Sequence, residues 1–179
     1  MDPESATPYD EGKPLPVRGN VFQVSSSFIR PADTAAYSAG DLVANATAAG
    51  SVEPMQFELG TSKGLIRSAM FKTSNANLVA GSSFRLHLWS QLPAPTGGDN
   101  QQVFAPAAAL VPTDGYLGYI DMTADVWGSN GAMGRGMPSP DIHFDLGAAT
   151  SVYGLLEARG AITPASGATI TCTVAGVAA

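Results

Sequence analysis

Alternation of apolar and polar positions runs through most of this chain from Asn20 onward. In VFQVSSSFIR (21–30), Phe22, Val24 and Phe28 fall on one face, and Pro31 stops the run. VEPMQFEL (52–59) sets Met55, Phe57 and Leu59 against Gln56 and Glu58. SFRLHLWSQL (83–92) sets Phe84, Leu86 and Leu88 against Arg85, His87 and Trp89. In ATITCTV (168–174), Ala168, Ile170, Cys172 and Val174 oppose Thr169, Thr171 and Thr173. A period of two marks half-buried β-strands. GLIRSAMFKTS (64–74), YLGYIDMT (116–123), DIHFDL (141–146) and SVYGLLEARG (151–160) extend the set, and YSAGDLVANA (37–46) reads as a turn and a short strand. The one helical candidate, VFAPAAALV (103–111), is limited to a turn or two by Pro106. About nine strands at this spacing predict an all-β fold: an antiparallel two-sheet sandwich, jelly-roll-like. Its core should include Phe22, Phe28, Phe57, Phe84, Leu86, Leu88, Ile120, Leu156, Ile170 and Cys172.

Residues 1–19 break the pattern. Pro3, Pro8, Pro14 and Pro16 stand among Asp2, Glu4, Asp10 and Glu11, and only Tyr9, Leu15 and Val17 could anchor the segment. So little apolar area cannot offset the ordering entropy, which predicts an extended or disordered acidic arm ahead of a sandwich domain at 20–179. Two stretches read as long loops: PAPTGGDNQQ (93–102), rich in turn residues, and VWGSNGAMGRGMPSP (126–140). The second carries Trp127, Met133, Arg135 and Met137, an apolar and adaptable set suited to a contact surface.

Composition narrows the function classes. Charged residues make up 13% of the chain, against about 25% in typical soluble domains. Much of the surface is therefore neutral, as expected where neighbouring molecules cover it. The net charge of −6 and the scatter of the basic residues argue against direct nucleic-acid binding. No apolar run is long enough to span a bilayer, and the opening MDPESATPYDEG is unlike a secretory signal, so no membrane partner and no Sec export are expected. The single cysteine, Cys172, sits on an inward face and reads as a structural thiol.

Candidate chemistry is thin. Gly60-Thr61-Ser62-Lys63-Gly64 matches G-x-S-x-G, but a strand pattern follows where a hydrolase needs a helix, so a hairpin turn is expected. Asp141, His143 and Asp145 share one strand face, but neighbours on such a face lie roughly 6.5–7 Å apart, and a solvated face is expected rather than a metal site. His87, among apolar residues, reads as structural. No catalytic residue, cofactor or metal ligand is assigned.

Five segments resemble a family of small virion proteins of tailed bacteriophages: FIRPADTAAYSAGDLV (28–43), GLIRSAMFKTSN (64–75), SFRLHLWSQLPAPTGGDNQQVF (83–104), YLGYIDM (116–122) and VYGLLEARGAITPASGATITCTV (152–174). The similarity spans about residues 21–175, and the acidic leader departs from it. It implies a non-enzymatic β-sandwich that decorates or cements an icosahedral capsid from outside by binding the major capsid protein. Such a protein is made in the bacterial host cytoplasm and carries no family catalytic residue. Self-association is expected, with a homotrimer favoured over a homodimer because both match shell symmetry axes. The candidate contact residues are Tyr9, Leu15, Val17, Trp127, Met133, Arg135 and Met137. The alternatives are a tail, neck or fibre-associated protein of the same virion, and a carbohydrate-binding sandwich.

Overall fold

The computed structural model describes residues 20–75, 77–78, 80–103, 115–126 and 131–179. The arm at 1–19, most of the helical candidate at 103–111, and Trp127 lie outside them. Among the described residues ten strands form, all but β7 in stretches that the sequence marks as strands: β1 Val21–Ile29, β2 Leu42–Val43, β3 Met55–Glu58, β4 Lys63–Thr73, β5 Ser83–Trp89, β6 Tyr116–Val126, β7 Ala132–Gly136, β8 Ile142–Asp145, β9 Ser151–Ala158 and β10 Thr169–Ala178. The helical content among the described residues is one 3-10 turn, Ala49–Ser51.

All pairings are antiparallel, in the order β1-β10-β4-β7-β6-β5-β9-β2, with β8 also on β4 and β3 also on β9. The sheet curls into two layers. One holds β1, β10, β4 and β8; the other holds β3, β9, β5 and β6. That assignment of strands to layers is the double Greek key of a jelly roll, so the architecture expected from the alternation is present. β2 extends the second layer, and β7 joins the two by pairing with β4 on one side and β6 on the other.

The main core lies between the layers. Phe57, Ile66, Phe71, Leu86, Leu88, Ile120, Met122, Val152, Leu156, Cys172 and Val174 are fully buried there, with the Phe71 and Phe84 rings edge to face at 4.6 Å. Of the ten residues expected in the core, nine are buried, and Phe28 is half-buried because it sits on β1 at the margin of the sheet. A second, smaller cluster of Leu42, Ala44, Trp89, Val103 and Leu155 lies on the other side of the β9–β5 layer.

Two loop expectations need correction. Residues 126–140 are not one long loop, because β7 runs through them. Its inward positions are Ala132, Gly134 and Gly136. A Cβ at Gly134 would meet the Phe71 ring, and one at Gly136 would overlap the Asp121 carbonyl oxygen. Where two layers converge, only small residues fit on the inner face, so this strand lacks the apolar alternation that betrays the others. The Gly60–Gly64 segment is not a hairpin either. It links β3 to β4, which do not pair with each other, and so carries the chain from one layer to the other.

Candidate interaction surfaces

The outer face of the first layer is built from facing rows. Ser27, Thr171, Lys72, Met133 and Asp125 form one row across β1, β10, β4, β7 and β6; Ser25, Thr173, Met70, Arg135 and Thr123 form the next. Cross-strand hydroxyl pairs tie it together, Ser25 to Thr173 and Ser27 to Thr171, each at 2.8 Å. Beside these rows Gln23, Ser68, Met70, Arg135, Met137, Thr173 and Ala175 line an open groove of about 500 Å³. Arg135 is exposed and makes no ion pair among the described residues, and Met137 is 79% exposed. Three of the candidate contact residues, Met133, Arg135 and Met137, therefore share this face. Tyr9, Leu15, Val17 and Trp127 lie outside the described residues.

Toward β8 the same face becomes charged. Arg67 Nε contacts Asp141 at 3.1 Å and Lys63 Nζ contacts Asp145 at 2.9 Å. Lys63, with the Gly147 N–H, holds the Asp145 carboxyl below the usual range. The three side chains of the Asp141-His143-Asp145 row thus belong to a solvated, cation-paired face, and no group of metal-binding side chains assembles among the described residues. The Ser62 backbone carbonyl accepts from the Leu146 N–H, part of the corner that turns into β4.

Two polar clusters that sequence reasoning missed are buried. Arg30, Tyr37 and Asp99 come from the end of β1, the segment after it, and the 93–102 loop. Arg30 Nη2 donates to Asp99 Oδ2 at 2.5 Å, Tyr37 Oη donates to Asp99 Oδ1 at 2.7 Å, and the Ala44 N–H donates to the same oxygen at 2.8 Å. Arg30 Nε also donates to Tyr37 Oη. Burial works against the Arg30 charge, but the Tyr37 and Asp99 oxygens outweigh it and hold the guanidinium above its ordinary value. Burial, reinforced by Asp99, pushes the Tyr37 phenol up, so it stays a donor. The loop read as a plain turn region is thereby pinned to Arg30, Tyr37 and Ala44, and Val103, which follows it, packs with Trp89 and Leu155.

His87 is the centre of the second cluster. Its Nε2 lies 2.6 Å from Glu157 Oε2 and its Nδ1 3.0 Å from Tyr116 Oη, while Arg159 Nη1 donates to Glu157 Oε1 at 2.6 Å. Burial pushes the His87 imidazolium pKa down despite Glu157. On Glu157, burial is outweighed by the His87 and Arg159 hydrogen bonds, which keep the carboxyl low. A neutral ring donating from Nε2 and accepting at Nδ1 satisfies this arrangement. Next to it Arg85 makes a two-bond fork to Asp121 at 2.7 and 2.8 Å and stacks 3.7 Å over the Tyr119 ring. Both imidazole nitrogens and both Glu157 oxygens are engaged, an arrangement that locks β5, β6 and β9 together. The Cys172 thiol is fully buried and pushed up to about 12, which keeps it protonated.

No family model matches the chain, and no curated protein matches it. Among solved structures, a chain from one titled "Cyanophage Pam1 capsid asymmetric unit" aligns over 99% of this chain and 98% of its own length, at 14% identity and a TM-score of 0.27. Among the described residues no helix is long and apolar enough to cross a membrane.

Proposed function

We propose that this chain is a non-enzymatic structural protein of a tailed-phage virion that decorates the outside of the capsid and stabilises it by binding the major capsid protein. The observation that carries this reading is the outer face of the first layer: hydroxyl, methionine and small side chains around an open groove, with Arg135 in no ion pair among the described residues and Met137 exposed. Such a face offers Met and Arg anchors of the kind that concentrate binding energy. The segments that resemble the phage family form β4, β5, β6, β9 and β10 and supply Arg30, Tyr37 and Asp99, so the resemblance falls on the framework that shapes this face. The polar clusters serve rigidity, which suits a part that must hold its shape against internal pressure. Binding to the assembled shell alone stabilises it by mass action.

The test is addition of purified protein to pre-formed shells that lack it, with bound copies counted and shell melting followed. Saturable binding at hundreds of copies with a raised melting temperature is the expected result. A few copies at one vertex or on the tail would instead favour the neck, tail or fibre reading. A hydrolytic rate lost in Ser62→Ala would overturn the non-enzymatic assignment.

A further inference from the structure

We propose that two copies of this chain associate through their first strands, β1 pairing antiparallel with β1 of the second copy about a two-fold axis at Ser25. Four observations carry the inference, and none depends on shell binding.

The first is an open edge. The flanking bonds Ala178 N–H to the Asn20 carbonyl, 2.7 Å, and Arg30 N–H to the Ala168 carbonyl, 3.0 Å, fix the phase of the β1–β10 ladder. Even-numbered residues of β1 exchange hydrogen bonds with β10. The N–H and C=O groups of Val21, Gln23, Ser25, Ser27 and Ile29 point the other way, where they have no partner among the described residues. β3 packs near β1 without hydrogen bonding to it.

The second is the lack of protection. Folded proteins blunt free edges with short strands, charges, prolines or bulges. β2, β3 and β8 are two to four residues long. β1 runs for nine residues with no charge and no proline, and its register against β10 is unbroken.

The third is self-complementarity. The strand reads Val-Phe-Gln-Val-Ser-Ser-Ser-Phe-Ile, close to a palindrome about Ser25. In the two-fold pair Ser25 faces its own copy, Gln23 faces Ser27, and Val21 faces Ile29. All are edge-facing residues, so each facing pair can exchange two backbone hydrogen bonds. Val21 and Ile29, 80% and 63% exposed in the single chain, meet each other at both ends.

The fourth is unfinished burial. Val24 and Phe28 point into the core yet stay half-buried, because among the described residues nothing closes the sheet beyond β1. In the pair Phe28 lies against Phe22 of the second copy and Val24 against Ser26, which extends both cores. A two-fold axis normal to the sheet keeps the outer faces of both copies on one side. The product is a dimer, not the trimer expected from the sequence.

Sedimentation equilibrium of the purified full chain reads the mass. The expected result is a dimer that Ser25→Pro converts to a folded monomer, since the change deletes an edge-facing N–H and spares the β10 ladder. Should Ser25→Pro fail to fold, Gln23→Lys with Ser27→Lys sets like charges opposite each other twice and should weaken the dimer about tenfold or more, whereas Gln23→Lys with Ser27→Glu restores it. A monomeric wild type, or an oligomer whose mass none of these variants changes, overturns the proposal. Shell occupancy scored separately tells the two readings apart: a β1 dimer that ignores shells refutes only the proposed function, and a shell-binding monomer refutes only this pairing.

Discussion

Asp99→Ala is the substitution through which the buried Arg30 cluster can be weighed. Asp99 sits in a loop, 4% exposed, and its carboxylate takes hydrogen bonds from Arg30, Tyr37 and the Ala44 N–H. Without it, Arg30, itself 3% exposed, keeps Asp33 Oδ1 at 3.3 Å and the Ala165 carbonyl at 3.3 Å, while Tyr37 and Ala44 lose an acceptor. Removing one partner of a buried ion pair costs about 3–5 kcal/mol, most of it from the charge left behind. For a chain of this size that lowers the melting temperature by roughly 10 °C. Urea unfolding followed by tryptophan fluorescence gives the free energy, and an unchanged slope shows that the unfolded state is unaltered. Replacing both charges, Arg30→Met with Asp99→Leu, removes the stranded cation and should recover most of the loss. A loss below about 1 kcal/mol for Asp99→Ala would refute the claim that this pair pins the loop to the sandwich.

Leu86→Ala, at a fully buried position between the layers, should cost about 2–5 kcal/mol in the same unfolding assay. Gly136→Ala forces a methyl group into the Asp121 carbonyl at the β7 seam and should lower the melting temperature while Gly160→Ala, with open space around it, shifts it less. On acidification stability should fall: the folded His87 pKa lies below its ordinary 6.5, so the unfolded chain binds the proton first and stability drops as pH falls through and below 6.5. The depressed Glu157 and Asp121 groups add a further loss as pH falls from their ordinary range through their folded values. His87→Gln should flatten the first of these two phases in melting curves taken across pH.

The strands whose inner faces carry large apolar residues were legible because burial imposes a period of two. β3, β5, β8 and β10 have the phases that Met55, Leu86, Phe144 and Ile170 suggest. β7 was hidden because a seam between converging layers admits only alanine and glycine, and Ala-Met-Gly-Arg-Gly looks like a loop. The outward phase of His87 and Trp89 was readable, but not their burial. His87 is buried among Glu157, Tyr116 and Trp89, and Trp89 beneath Leu42, Ala44 and Val103, contacts that bring distant parts of the chain together. Pairings such as Arg30 with Asp99 or His87 with Glu157 leave no local signal, since neither partner's neighbours change the periodicity. Phe28 was placed in the core by its phase, yet phase cannot tell a central strand from an edge strand.

The most direct measurement of the central claim is the number of copies bound per pre-formed shell for wild type and for Arg135→Ala with Met137→Ala. Both side chains are at the groove and outside the core, so the free protein should melt as wild type does. Saturation at hundreds of copies is expected for wild type, and a sharply reduced occupancy for the variant. Wild-type protein that leaves shells bare, or a variant that fills them as fully as wild type, would contradict that claim.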